Sequence, residues 1–238
     1  MKTVETVAPS RNLGPRPGTP AIELTGVSRL YGYRPALVRV DLRVEAGEVL
    51  LVRGSNGAGK STLLRILATA LPVTEGEGRL HGFDLRTERA AIRRRVEYVG
   101  HATRLYEDLT GAENLRFVAR LWGIARPPID RALAEVGLLE AAALRVATYS
   151  QGMRQRLALA RIVLRDPDLL LLDEPFAALD AAARDALEVT LGAATRRGAT
   201  VVLVSHDHYA DALATRTVDL THGRIVRDVA ARPSEAAL

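Results

Sequence analysis

The pattern of apolar and polar positions along the chain falls into three textures. Between residues 22 and 53, short apolar runs are separated by Gly or Pro, which predicts strands over 22–27, 37–44 and 48–53 in an antiparallel β region. The last run enters a Gly-rich stretch at 54–59 and then a helix-forming stretch at 60–70; another short strand pattern stands at 96–99. From about 107 to 162 the spacing turns helical, with Leu115, Val118, Ala119 and Trp122 on one face at i, i+3, i+4, i+7. Pro127-Pro128 breaks that run and can start the next helix, over 129–136. Phe117 and Trp122 read as core residues of this section rather than ligand contacts. Apolar strand patterns return at 168–173 and 200–205, on either side of a helix over 181–197 that Gly198 ends. Residues 217–221 and 224–228 are spaced to pair as a hairpin, and no internal repeat is present.

Strands that alternate with helices imply a parallel sheet covered on both faces. The expected fold is therefore α/β: a core with a mainly parallel sheet, an N-terminal antiparallel β region and a helical insert at about 105–162. A length of 238 residues suits one large domain or a domain with a sub-lobe, here 21–229. The Pro-, Gly- and Thr-rich stretch 1–20 is expected to be a mobile leader and 230–238 a mobile tail. No apolar run approaches the roughly 18–20 residues that span a bilayer, and the leader lacks the apolar core of a signal peptide. The expectation is a chain that neither crosses a membrane nor carries a secretion signal, yet is able to dock onto a membrane protein. The absence of cysteine excludes disulfides and thiolate metal sites and fits a reducing compartment.

Charge adds one positive clue. The net charge is +5, but the positive residues are spread out. The densest cluster, Arg93-Arg94-Arg95, follows Ala90-Ala91-Ile92 on an expected helix and reads as a solvated face, so no direct contact with nucleic acid is expected. Of the 33 Lys and Arg residues, only Lys2 and Lys60 are lysine. A lysine in the interior of so arginine-biased a chain needs a cause.

Gly54-Ser55-Asn56-Gly57-Ala58-Gly59-Lys60-Ser61 supplies it, matching the phosphate-loop pattern G-x-x-x-x-G-K-[ST] after an apolar strand and before a helix. Glycines let backbone N–H groups converge on phosphate oxygens, and the following helix adds the positive end of its dipole. A compact ammonium suits such a cage better than a planar guanidinium. Lys60 is thus assigned to the β- and γ-phosphates, Ser61 to Mg²⁺ and Thr62 to a further phosphate contact. Leu169-Leu170-Leu171-Leu172-Asp173-Glu174 puts two carboxylates at the end of a buried strand, where ligands sit in open α/β sheets. Asp173 is the second Mg²⁺ candidate, and Glu174 the candidate general base toward an attacking water. His206 follows the apolar run Val201-Val202-Leu203-Val204 and is placed to donate to a γ-phosphate oxygen. His81, His208 and His222 lack such context.

In this order, over about residues 22–228, the pieces resemble the ATP-binding-cassette superfamily, which implies a P-loop NTPase core. Tyr149-Ser150-Gln151-Gly152-Met153 resembles its signature loop and Phe176-Ala177-Ala178-Leu179-Asp180 its D-loop, with Asp180 the main match. His206 falls at the family's switch histidine, and Tyr31 where an aromatic ring stacks on adenine. The resemblance implies a head-to-tail dimer of such subunits, homo- or heteromeric, with each ATP between the phosphate loop of one chain and the signature loop of the other. Ser150 and Gly152 would then touch the γ-phosphate in trans, and the dimer would drive an integral membrane permease docked near the helical insert at the cytoplasmic face. Two positions depart from the family pattern. Gln151 stands where glycine is usual, and His101 stands where a glutamine is usual; the chain's only glutamines are Gln151 and Gln155. Gly100-His101, with the text of 109–117 after it, looks like the ATP-binding subunit of haem exporters used in cytochrome c maturation, although Ala102 replaces the glutamine that often follows there.

Other small-molecule or drug exporters share much of this text. A non-transport member acting on DNA or ribosomes usually needs two cassettes, long coiled coils or zinc modules, and this chain has no cysteine and no heptad run. An inactive regulator would have lost its catalytic carboxylate, whereas Glu174 is present.

Overall fold

The computed structural model describes residues 18–100, 103–176, 179 and 181–230. His101, Asp180, most of the expected leader and nearly all of the expected tail lie outside the described residues. The chain begins with β1 (Ile22–Tyr31) and β2 (Arg34–Val44), paired antiparallel. Both exceed the strands expected from periodicity. Gly26 and Arg39, each at positive φ, sit at breaks in the register that kink the ladder without ending it. Next come β3 (Val49–Arg53) and α1 (Lys60–Leu67), then β4 (Glu75–Leu80), β5 (Phe83–Asp84), α2 (Arg89–Arg93) and β6 (Val96–Val99). The hydropathy pattern does not reveal β4, in which only Gly78 and Leu80 are buried. Its pairing with β1 makes it a strand. The helical section holds α3 (Gly111–Leu121), α4 (Ile129–Glu135) and α5 (Gln151–Arg165), with a 3-10 turn at Val146–Thr148. The chain then runs through β7 (Leu169–Asp173), α6 (Ala181–Arg196), β8 (Thr200–Val204), α7 (His208–Leu213), β9 (Arg216–Thr221) and β10 (Arg224–Ala230).

Two sheets result. One is antiparallel, ordered β2-β1-β4-β5; the other is six-stranded, ordered β10-β9-β3-β8-β7-β6, and parallel except for the β9–β10 hairpin. The continuous apolar runs are explained by burial on both faces. In β7, Leu169 and Leu171 enter the core beneath the antiparallel sheet and α1, while Leu170 and Leu172 enter the core shared with the helical section. In the same way β3 and β8 split Leu50, Val52, Val202 and Val204 from Leu51, Val201 and Leu203. Each fully buried Leu or Val contributes about 1.5–3 kcal/mol of apolar transfer.

In the helical section, α3 starts at a capping box: Glu113 N donates to Thr110 Oγ1 at 3.2 Å and Thr110 N to Glu113 Oε2 at 2.8 Å. Leu115, Val118, Ala119 and Trp122 all face the core, as their spacing requires. α5 begins at Gln151 because Ser150 caps it by accepting from Met153 N at 3.2 Å. The arginine triplet is not a uniformly solvated face. Arg93 Nε donates to Thr69 Oγ1 at 2.8 Å and Arg95 pairs with Asp168 at 2.7 Å, so two of the three arginines make structural contacts. Among the described residues, no helix is long and apolar enough to cross a membrane.

Candidate functional site

Parallel strands deliver their C-terminal ends to one edge of the sheet. Because β3, β8, β7 and β6 are consecutive neighbours, that edge carries, side by side, the Gly-rich loop, the His206 loop, Asp173-Glu174 and the Tyr98-Gly100 segment. A cavity of about 240 Å³ opens there, lined by Ala36, residues 56–62, Asp173, Glu174 and Val204. Asn56, Gly57, Ala58, Gly59, Lys60, Ser61 and Thr62 thus meet the two carboxylates. Gly54, Ser55 and His206 line an adjoining cavity with Arg53 and Ser205.

The loop's glycines are dictated by approach distance. Gly59, at φ 108, is the N-cap of α1, and a Cβ there would come within 2.4 Å of the Ala36 carbonyl oxygen. A Cβ on Gly54, at φ 147, would come within 2.1 Å of Leu220 O. Only glycine accommodates both the dihedral and the contact. Lys60 is buried at 7% exposure; its Nζ donates to Gly54 O at 2.6 Å and Ser55 O at 3.1 Å, and stands 3.2 Å from His206 Nε2. The only charge inside the loop therefore rests on the loop's own carbonyls.

Asp173 is held from both sides. Ser61 Oγ donates to Oδ1 at 3.1 Å and the Tyr98 hydroxyl to Oδ2 at 3.1 Å. Burial, followed by the Asp173 charge, raises the Tyr98 phenol above its ordinary range, so it remains a protonated donor at neutral pH. Among the described residues no three His, Cys, Asp or Glu side chains gather into a metal cage. Ser61 and Asp173 instead offer two hard oxygens in contact, which fits Mg²⁺, a cation that takes few protein ligands and completes its shell with water and phosphate oxygens. Glu174 adopts φ 53, an unusual backbone region for a glutamate, fixed by its N–H donating to Val204 O at 2.8 Å. Its Oε1 lies 3.4 Å from His206 Nε2.

Other expected site residues lie elsewhere. Tyr31, at the end of β1 and 47% exposed, is outside both cavity linings and carries the Arg29 guanidinium over its ring at 4.8 Å. Ser150, Gln151 and Gly152 open α5 and line neither cavity. They are held in place by the buried Tyr149, whose hydroxyl donates to Ala141 O at 2.7 Å. Tyr98, Ala36 and Val204 were not assigned a role from sequence. In the four-residue strand Val96–Val99, which also carries Glu97, nothing local singles Tyr98 out.

Residues 37–177 match the family described as ABC transporter, which covers the phosphate loop, the signature segment and both strand-end carboxylates. The chain belongs to that family. Within it, the chain is 39% identical over 215 residues to the daunorubicin/doxorubicin resistance ATP-binding protein DrrA of Streptomyces peucetius, covering 88% of this chain and 65% of the relative. It is 41% identical over 182 residues to the cytochrome c biogenesis ATP-binding export protein CcmA of Bordetella bronchiseptica, covering 76% of this chain and 80% of that one. The chain thus spans 65% of the length of the drug-resistance relative. A solved dimeric ATP-binding cassette, in a post-hydrolysis state with ADP and Pi, shares the fold at a TM-score of 0.81 and 26% identity, covering 90% of this chain and 100% of that one.

Proposed function

We propose that this chain is the ATP-hydrolysing subunit of a membrane exporter, paired with a second such subunit on a separate permease at the cytoplasmic face. The observation that carries the reading is the convergence of Lys60, Ser61, Asp173 and Glu174 on one cavity, with His206 beside it. Lys60 exchanges the Gly54 and Ser55 carbonyls for the β- and γ-phosphate oxygens of ATP, replacing neutral acceptors by charged ones. Ser61 and Asp173 would hold Mg²⁺, which when bound offsets negative charge on the phosphates. Glu174 takes a proton from the attacking water, and His206 donates to the γ-phosphate oxygen. Tyr31 stacks on adenine. Ser150 and Gly152, remote from their own chain's cavity lining, serve the nucleotide of the partner in a head-to-tail pair, with Asp180 at the junction and Gln151 in place of a glycine. The solved cassette dimer supports this pairing.

Two cargo readings follow from the relatives. Haem export in cytochrome c maturation is supported by the Gly100-His101 pair and by the CcmA relative, four-fifths of which this chain covers. Drug export is supported by the DrrA relative, which matches more of this chain. The permease that co-purifies with the chain decides between them.

The purified chain, with and without that permease, is expected to hydrolyse MgATP. Glu174→Gln is expected to keep ATP binding, to trap a dimer seen by size-exclusion chromatography, and to lower turnover by at least about 100-fold, the scale of general-base catalysis. Unchanged turnover in Glu174→Gln would remove Glu174 as the base, and a chain that neither binds nor hydrolyses MgATP in either setting would sink the whole reading.

A further inference from the structure

A carboxylate ligand is useful to a cation only if its rotamer is fixed before the cation arrives. Asp173 ends β7 at 3% exposure, and its two oxygens have different partners from different elements. Ser61, in the first turn of α1, donates to Oδ1, which leaves its hydroxyl lone pairs free to accept a cation. Tyr98, on the neighbouring strand β6, donates to Oδ2. The Arg65 guanidinium, on α1, also faces the Tyr98 hydroxyl.

The backbone beside Tyr98 is shaped to the ring. A Cβ on Gly100 would come within 2.7 Å of the Tyr98 hydroxyl oxygen and 3.0 Å of its ring carbon Cζ. The residue two positions after Tyr98 must therefore lack a side chain for the phenol to reach Asp173.

We propose that Tyr98 is a positioning residue for the Mg²⁺ carboxylate, holding Asp173 Oδ2 so that Oδ1 stays with Ser61, and that Gly100 is the space that permits it. This rests on the nucleotide site proposed above and adds a specific partner to it. Tyr98 lines neither cavity and reaches the site through Asp173, so its loss is expected to act through the cation.

The test is the affinity of the intact chain for ATP, measured by calorimetry in EDTA and over a Mg²⁺ titration. Wild type is expected to bind ATP more tightly with Mg²⁺. Tyr98→Phe is expected to bind ATP in EDTA within about twofold of wild type but to need about tenfold more Mg²⁺ for half of the gain, the lower end for loss of a ligand-orienting partner. Gly100→Ala, which displaces the ring without removing the hydroxyl, is expected to show the same shift and covers the case in which Tyr98→Phe fails to fold. Wild-type Mg²⁺ dependence in either folded variant overturns the role of Tyr98. Equal loss of ATP affinity with and without Mg²⁺ overturns it too, since that is general structural damage. Wild type indifferent to Mg²⁺ instead overturns the site reading beneath it.

Discussion

At the scale of single residues, the positions of the site differ in how much change they allow. Gly59 combines φ 108 with a carbonyl 2.4 Å from where a Cβ would sit. Gly59→Ala is expected to cost at least about 2–3 kcal/mol, from backbone strain and the displaced Ala36 carbonyl, as a lowered urea midpoint, and to abolish ATP binding by opening the loop. Gly57→Ala differs, because no atom lies within 4 Å of its Cβ position and only its φ of 82 resists; a loss of about 1 kcal/mol is expected there. Lys60, Ser61, Asp173 and His206 were legible in the chain because each lies within or beside a short apolar run with a fixed offset. Tyr98 was not, because its partner Asp173 lies 75 residues away and no local pattern relates them.

At the scale of elements, β6 carries two adjacent connections. Tyr98 faces the carboxylate on β7, while Glu97, 1% exposed, turns to α5 and meets Arg165 Nη1 at 2.8 Å and Arg161 Nη2 at 2.7 Å. The Trp122 ring covers both guanidinium groups, at 4.5 Å from Arg165 and 5.5 Å from Arg161. This ties the end of α3, the C-terminal half of α5 and the sheet into one cluster. Glu97→Gln leaves two largely buried arginines without a counter-charge and is expected to cost about 3 kcal/mol, read as a shift in chemical denaturation. No local pattern in the sequence had marked the capping pair Thr110 and Glu113, nor Asn114. Its amide donates to Tyr106 O at 2.9 Å and Thr110 O at 3.0 Å, and its Oδ1 accepts from Tyr106 N at 2.8 Å, so it fixes the loop before the helix.

At the scale of the whole molecule, His81, in the turn between β4 and β5 of the antiparallel sheet, feels Asp168 and Arg95 from the flanks of β7 and β6. The side chain is 1% exposed, and neither ring nitrogen has a hydrogen-bond partner. Burial lowers its pKa below 6.5, against the opposing pull of Asp168 and with a smaller push from Arg95. His81 is therefore neutral in the folded chain over a range where the unfolded chain already binds the proton. That contribution to stability is fully present above about 6.5 and is lost as pH falls through the window between 6.5 and the depressed folded value. A urea series from about pH 7.5 to 5 is expected to show stability falling with pH in wild type, and a shallower fall in His81→Asn. Asparagine tolerates the φ of 50 at this position and does not titrate.

The sequence by itself determined the class of fold, the phosphate loop and the carboxylate pair, since these depend on local periodicity and on short-range backbone demands. Tertiary structure alone decided that β3, β8, β7 and β6 are neighbours, and so which strand ends share a cavity. It decided that β4 is a strand, since Glu75–Leu80 has little apolar pattern and gains its state from the β1 edge. It decided that Arg93, though exposed, bonds Thr69, that Arg95 pairs with Asp168, and that Tyr98 meets Asp173. The physical reason is the same in each case: a hydrogen bond or ladder between distant segments leaves no periodic trace in either one.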